Sequence, residues 1–218
     1  VIDSRTAHQR RWPASVAVIV IILLEFGLPD QIVPPWWPVL FAFEVLLLVP
    51  LVATNPIRLT RDQTWIRYVG ISLALLLLAG NAARLGQLLF VLFDKRALSA
   101  VELLSAGLLI WVTNVVATAI AYWELDRGGP FARDPRHERA MGAIDLLFPQ
   151  LTGVPGVDPE RWRPSFLDYL FVAFTAATAF SPTDVLPLTG RAKLLMMTAS
   201  TVSLVTVAGV AARAVNVL

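Results

Sequence analysis

Apolar residues along this chain fall in long, nearly uninterrupted runs, and polar residues gather in the gaps between them. The first run covers 13–28 and closes at Pro29-Asp30. A Pro34-Pro35-Trp36-Trp37-Pro38 stretch follows. Its prolines cannot continue a helix, and its tryptophans suit a lipid–water interface. The second run, 36–53, therefore starts at an interface and ends at Asn55-Pro56. The third, 65–93, is long enough to span a bilayer with tilt. The fourth, 98–123, ends on a Tyr122-Trp123 anchor, and the turn from Glu124 to Pro130 breaks it. Segment 125–164 is rich in proline, glycine and charge, which places it outside hydrocarbon, with 143–148 as a short amphipathic turn on the surface. A shorter run, 166–180, a polar knot, 181–184, and a last long helix, 189–217, complete the pattern. No tandem repeat is visible, and the pattern predicts no soluble domain after the last helix.

This pattern predicts an all-α membrane protein with about five transmembrane helices and one short re-entrant helix. Composition agrees. Of the 218 residues 56% are hydrophobic and only 16% are charged, where soluble domains carry about 25%. Helices that show Leu, Val, Ile and Ala to lipid need no charged surface. The net charge is +2, and the basic residues sit between the apolar runs instead of forming a nucleic-acid stripe. There is no cysteine, so disulfides and thiolate chemistry are excluded. The first run follows Arg10-Arg11, but Glu25 and the lack of a small-residue cleavage pattern make it a retained helix, not a signal peptide.

The run 166–180 is about three-quarters of a span. Ser165 is a good N-cap, and Asp168 three residues on resembles a capping box. Pro182 disfavours helix at Ser181 and stops the run. A short helix, an extended stretch and then a full span is the pattern of a pore loop. The stretch from Asp168 to Thr189 resembles the pore helix and filter of tetrameric potassium channels, with Thr175, Thr178, Asp184, Pro187 and Thr189 in register. Ser181-Pro182-Thr183 stands where that family has Gly-Tyr-Gly. Nearly the whole chain, including Tyr122 to Pro130 and Ala212 to Asn216, also resembles a bacterial family of uncharacterised multi-pass membrane proteins.

The resemblance implies an N-terminal three-helix membrane region, 1–96, and a channel-pore-like module, 97–218. Within the module, 98–123 would be the outer helix, 125–164 the polar connection, 166–180 the re-entrant helix, 181–188 the filter-like loop and 189–217 the inner helix. It also implies a homo-oligomer, a tetramer by analogy, in a bacterial cytoplasmic membrane. The filter-like residues would be Thr175, Thr178, Ala179, Phe180, Ser181, Pro182, Thr183 and Asp184. Thr183 is β-branched and Pro182 has a fixed φ and no N–H, so a potassium filter is not expected to form. Hydroxyls, an Asp184 carboxylate ring and a Phe180 constriction would remain, for weakly selective cation passage or for a sealed pore. The other reading of Ser-Pro-Thr-Asp is a plain loop in a non-conducting scaffold.

Polar residues within the runs are Glu44, Asn81, Arg84, Gln87 and Asn114. Such groups are costly in lipid and face protein or water. A Glu44–Arg84 ion pair is expected, as structural glue or as a proton or ion relay. Asn114 is expected to bond across helices, and Glu25 to reach the interface. Ala82 with Gly86 and Ala208 with Ala212 form small-xxx-small pairs that read as packing surfaces. His8 and His137 have no metal-ligand spacing, and Asp126, Asp134, Glu138 and Asp145 read as solvated. No nucleotide, nucleophile or zinc motif is present, so neither enzyme activity nor a cofactor nor a metal is expected. The expected partners are lipid and further copies of the chain, not nucleic acid. A channel-like orientation puts the N-terminus outside, whereas Arg5, Arg10, Arg11, Arg58, Arg61 and Arg67 put it in the cytoplasm. By the charge rule the N-terminus is expected in the cytoplasm.

Overall fold

The computed structural model describes residues 12–54, 64–93, 99–133, 142–178 and 184–217. Helices dominate them: α1 (Trp12–Glu25), α2 (Trp37–Thr54), α3 (Thr64–Phe93), α4 (Ala100–Leu125), a one-turn α5 (Pro130–Arg133), α6 (Phe166–Thr178) and α7 (Gly190–Val217). Two-residue strands, β1 (Leu146–Leu147) and β2 (Leu186–Pro187), form a short antiparallel ladder. Helix ends follow local chemistry. Ser99 and Glu102 form a full capping box at the start of α4, which satisfies orphan backbone donors.

Three helices, α3, α4 and α7, are long and apolar enough to cross a membrane. The expected five spans are not met. The 14 residues of α1 reach about 21 Å at 1.5 Å per residue, against roughly 30 Å of hydrocarbon. The apolar part of α2 also falls below the length of a candidate span.

The central helix is α4, which packs against α1, α3, α6 and α7. One hydrophobic core runs from Ala14 in α1 to Ala192 in α7, so the two halves of the chain share it. Contacts fix the levels along α4. Ala14, Leu51, Gly70, Trp123 and Glu124 line one small cavity. At the other end, Leu28 and Ile32 join Leu88, Val91, Leu103 and Ala106 in a second cluster. The starts of α1 and α3 and the ends of α2 and α4 therefore lie at one end of the bundle. From Phe26 to Trp37 the backbone continues in turns, closed by bonds such as Ile32 N–H to Pro29 O (2.9 Å) and Trp37 N–H to Pro34 O (2.9 Å).

Close helix approach relies on glycine at two places. A Cβ on Gly107 of α4 would lie 2.6 Å from Val210 of α7, and one on Gly70 would lie 2.4 Å from the Glu124 carboxylate. Gly86, by contrast, has open space beside it. Ala82, Gly86, Ala208 and Ala212 lie on outer faces, so neither small-residue pair is buried between helices of the chain. Replacing Gly107 by Leu should cost about 1–3 kcal/mol through overpacking. Gly86→Ala should leave stability unchanged or raise it by up to about 1 kcal/mol. Thermal melting of the two purified variants in one detergent checks the contrast.

Candidate functional site

Two polar centres are built into this apolar bundle. The first joins the connection after α4 to the starts of α6 and α7. Asp126, fully buried, accepts the N–H groups of Asp145 (2.8 Å) and Leu146 (3.3 Å) on one oxygen. Its other oxygen accepts the Tyr169 hydroxyl at 2.6 Å. Arg133 donates to the carbonyl of Trp123 at 2.7 Å and to that of Asp126, and its guanidinium lies 5.0 Å from the Tyr169 ring centroid. Asp145, also buried, takes a two-pronged bond from Arg191 at 2.7 and 2.6 Å and accepts the Thr189 hydroxyl. Thr189 in turn caps α7 through the N–H of Ala192. The turn itself carries backbone strain. Arg127 has φ of +53°, and Gly128 and Gly129 follow at +86° and +92°. A left-handed arginine is disfavoured and persists only where its surroundings hold it.

These contacts overturn two expectations. Segment 143–148 does not form a surface turn, because Asp145, Leu146 and Phe148 are buried and 146–147 pairs with 186–187. Asp126 and Asp145 are not solvated. Asp134, Glu138, His8 and His137 lie outside the described residues.

Above this clamp stands α6. Asp168 accepts both the N–H and the hydroxyl of Ser165, at 2.7 and 2.6 Å, which is one half of the expected capping box; the Asp168 N–H goes to the Ser165 carbonyl at 3.2 Å instead of to its hydroxyl. Phe166 meets Trp123 edge to face. Eleven residues on, the Ala177 carbonyl accepts the Trp111 indole N–H at 3.5 Å, and the Ala176 carbonyl accepts the Ser200 hydroxyl at 3.0 Å. Thus α6 runs from the Trp123 end of α4 to about its middle. By Leu188 and Thr189 the chain is bonded to Asp145 again, back at the starting level. The Thr175 hydroxyl donates to the carbonyls of Phe171 and Val172, and that of Thr178 to Thr175. Asp184 is exposed, and Ala179, Phe180, Ser181, Pro182 and Thr183 lie outside the described residues.

The second centre lies between α1, α2 and α3. Arg84 pairs with Glu25 at 2.5 Å, and Trp37 donates its indole N–H to the other Glu25 oxygen at 3.0 Å. The expected Glu44–Arg84 pair is therefore displaced by Glu25, which is 2% exposed and not at an interface. Glu44 and Asn81 are buried, and Gln87 is half-buried. Asn114 belongs to neither centre. Its amide donates to the Ala199 carbonyl (2.7 Å) and the Ser203 hydroxyl (2.9 Å), tying α4 to α7 as expected. Among the described residues no group of three or more His, Cys, Asp or Glu is arranged to hold a metal ion.

Three long apolar helices around these centres are compatible with a multi-pass membrane protein. No family model matches the chain, and neither a curated protein nor a solved structure matches it.

Sequence reasoning missed Asp126, Asp145, Tyr169, Arg133 and Arg191 as partners. Tyr169→Phe removes one donor to a buried carboxylate and should cost about 1.5–3 kcal/mol. Asp126→Ala strands three donors and should cost more. Melting temperatures of the purified variants, read against wild type, should fall in that order.

Proposed function

We propose that this chain is a multi-pass protein of a bacterial cytoplasmic membrane in which α4, α6 and α7 form a pore module. As a symmetric oligomer, a tetramer by resemblance, the module passes cations through an altered, non-potassium filter. The observation that carries this reading is the path of α6. It starts beside Trp123, ends at the level of Trp111 and Ser200, and the chain is back beside Asp145 at Thr189. With α4 spanning a bilayer, α6 is a re-entrant helix that ends near mid-depth. A helix C-terminus carries about half a negative charge, so the end of α6 favours a cation.

One short helix cannot enclose a pore, so conduction needs several copies. On α7, Leu194, Met197, Leu204 and Val207 remain uncovered, and neighbouring copies together with lipid would cover them. The α1–α2 hairpin enters from the same side as α6, and its turn extends the reach that its helices leave short. Orientation follows charge. Arg67, Arg127, Arg133, Arg161, Arg163, Arg191 and Lys193 gather at the end where α6 starts, and Arg213 lies near the other. The positive-inside rule then has α6 entering from the cytoplasm, inverted relative to a potassium channel.

The second reading is a non-conducting scaffold that keeps the pore-loop fold. It is favoured by the Thr175 and Thr178 hydroxyls, which donate into their own helix and not toward a free path. Cation flux into proteoliposomes separates the two. Conduction predicts flux above empty vesicles that falls several-fold in Asp184→Asn. No flux at any imposed voltage or pH selects the scaffold.

A further inference from the structure

The centre at the break after α1 contains a charge arrangement that the pore reading does not use. Glu25, Glu44 and Arg84 come from three different helices, and none is more than 2% exposed. One guanidinium faces two carboxyl groups. Arg84 and the Trp37 indole already serve Glu25, at 2.5 and 3.0 Å. Neither oxygen of Glu44 has a hydrogen-bond donor among the described residues. Arg84 Nη1 and Glu44 Oε1 both lie beside Gly80.

With both carboxyls ionised, one negative charge would stay buried without compensation, because Arg84 and Trp37 already serve Glu25. A single proton on Glu44 removes that penalty and makes the trio neutral. We infer that Glu44 binds one proton beside the Glu25–Arg84 pair, so that this three-helix junction is a proton-binding site. The groups that face Glu44 are Glu25 from α1 and Arg84 from α3. At the same level α4 places Leu109 against Gly27 and brings no charge. One turn before Arg84, Asn81 is buried and brings no charge.

Removing that proton would leave the buried negative charge uncompensated, so the junction is weakened in alkali. The test is infrared spectroscopy of the full chain in lipid nanodiscs, with H₂O and D₂O compared. Wild type should show, at neutral pH, a deuterium-sensitive carbonyl band of a protonated carboxyl group. Glu44→Gln should lose that band, keep its melting temperature and lose less stability than wild type in alkali. Glu25→Gln frees Arg84 to pair with Glu44 and should also lose the band. If wild type and both variants show the same carboxyl bands at neutral pH, the inference is wrong. The same holds if Glu44→Gln melts with the same pH dependence as wild type. None of these readouts involves transport, so they stand apart from the flux test.

Discussion

The Asp126 carboxylate accepts hydrogen bonds from Asp145, Leu146 and Tyr169, and the path of the C-terminal half depends on that convergence. Asp126 ends α4, Asp145 precedes β1, and Tyr169 lies in the first turns of α6. Binding all three at one point brings the start of α6 to the end of α4. Asp145 then holds Arg191 and Thr189, which returns the chain to that level after only thirteen helical residues of α6. A helix so short cannot cross hydrocarbon, and these bonds show why it need not. The same clamp accounts for a left-handed arginine at 127, since the turn must bring Asp126 inward while Gly128 and Gly129 reverse the chain.

The two polar centres solve one problem in different ways. Buried ionised groups are stable only where each has a partner. In the Asp126 centre the carboxylate accepts backbone N–H groups and a phenol, and Arg133 donates to two backbone carbonyls. At the Glu25–Glu44–Arg84 centre one guanidinium faces two carboxyl groups, and the proton inferred on Glu44 is what balances them.

Much of the helical layout was legible because it is written in local runs. The third run, read as 65–93, is α3 (Thr64–Phe93), and the last, read as 189–217, is α7 (Gly190–Val217). The Ser165–Asp168 cap was legible because capping couples residues three apart. Glu25 was misplaced because its position near the end of an apolar run suggested an interface. What buries it is the return of α2 and α3 over the break, and no local pattern encodes that. The contacts of Asp126 span 19 to 43 residues, so neither its burial nor that of Asp145 leaves a periodic trace. Of the filter-like positions, Thr175 and Thr178 are now seen to donate into α6, whereas Ala179 to Thr183 lie outside the described residues.

The central claim is that the chain enters and leaves along α6 on one side. The chain has no cysteine, so single cysteines placed at Glu160, before α6, and at Asp184, after it, can report this in sealed vesicles. Both side chains are exposed. With a membrane-impermeant maleimide, both positions should label from the same face of the membrane, and a cysteine at Ser99, at the far end of α4, from the opposite one. Labelling of positions 160 and 184 from opposite faces would mean that α6 crosses, and would contradict the account.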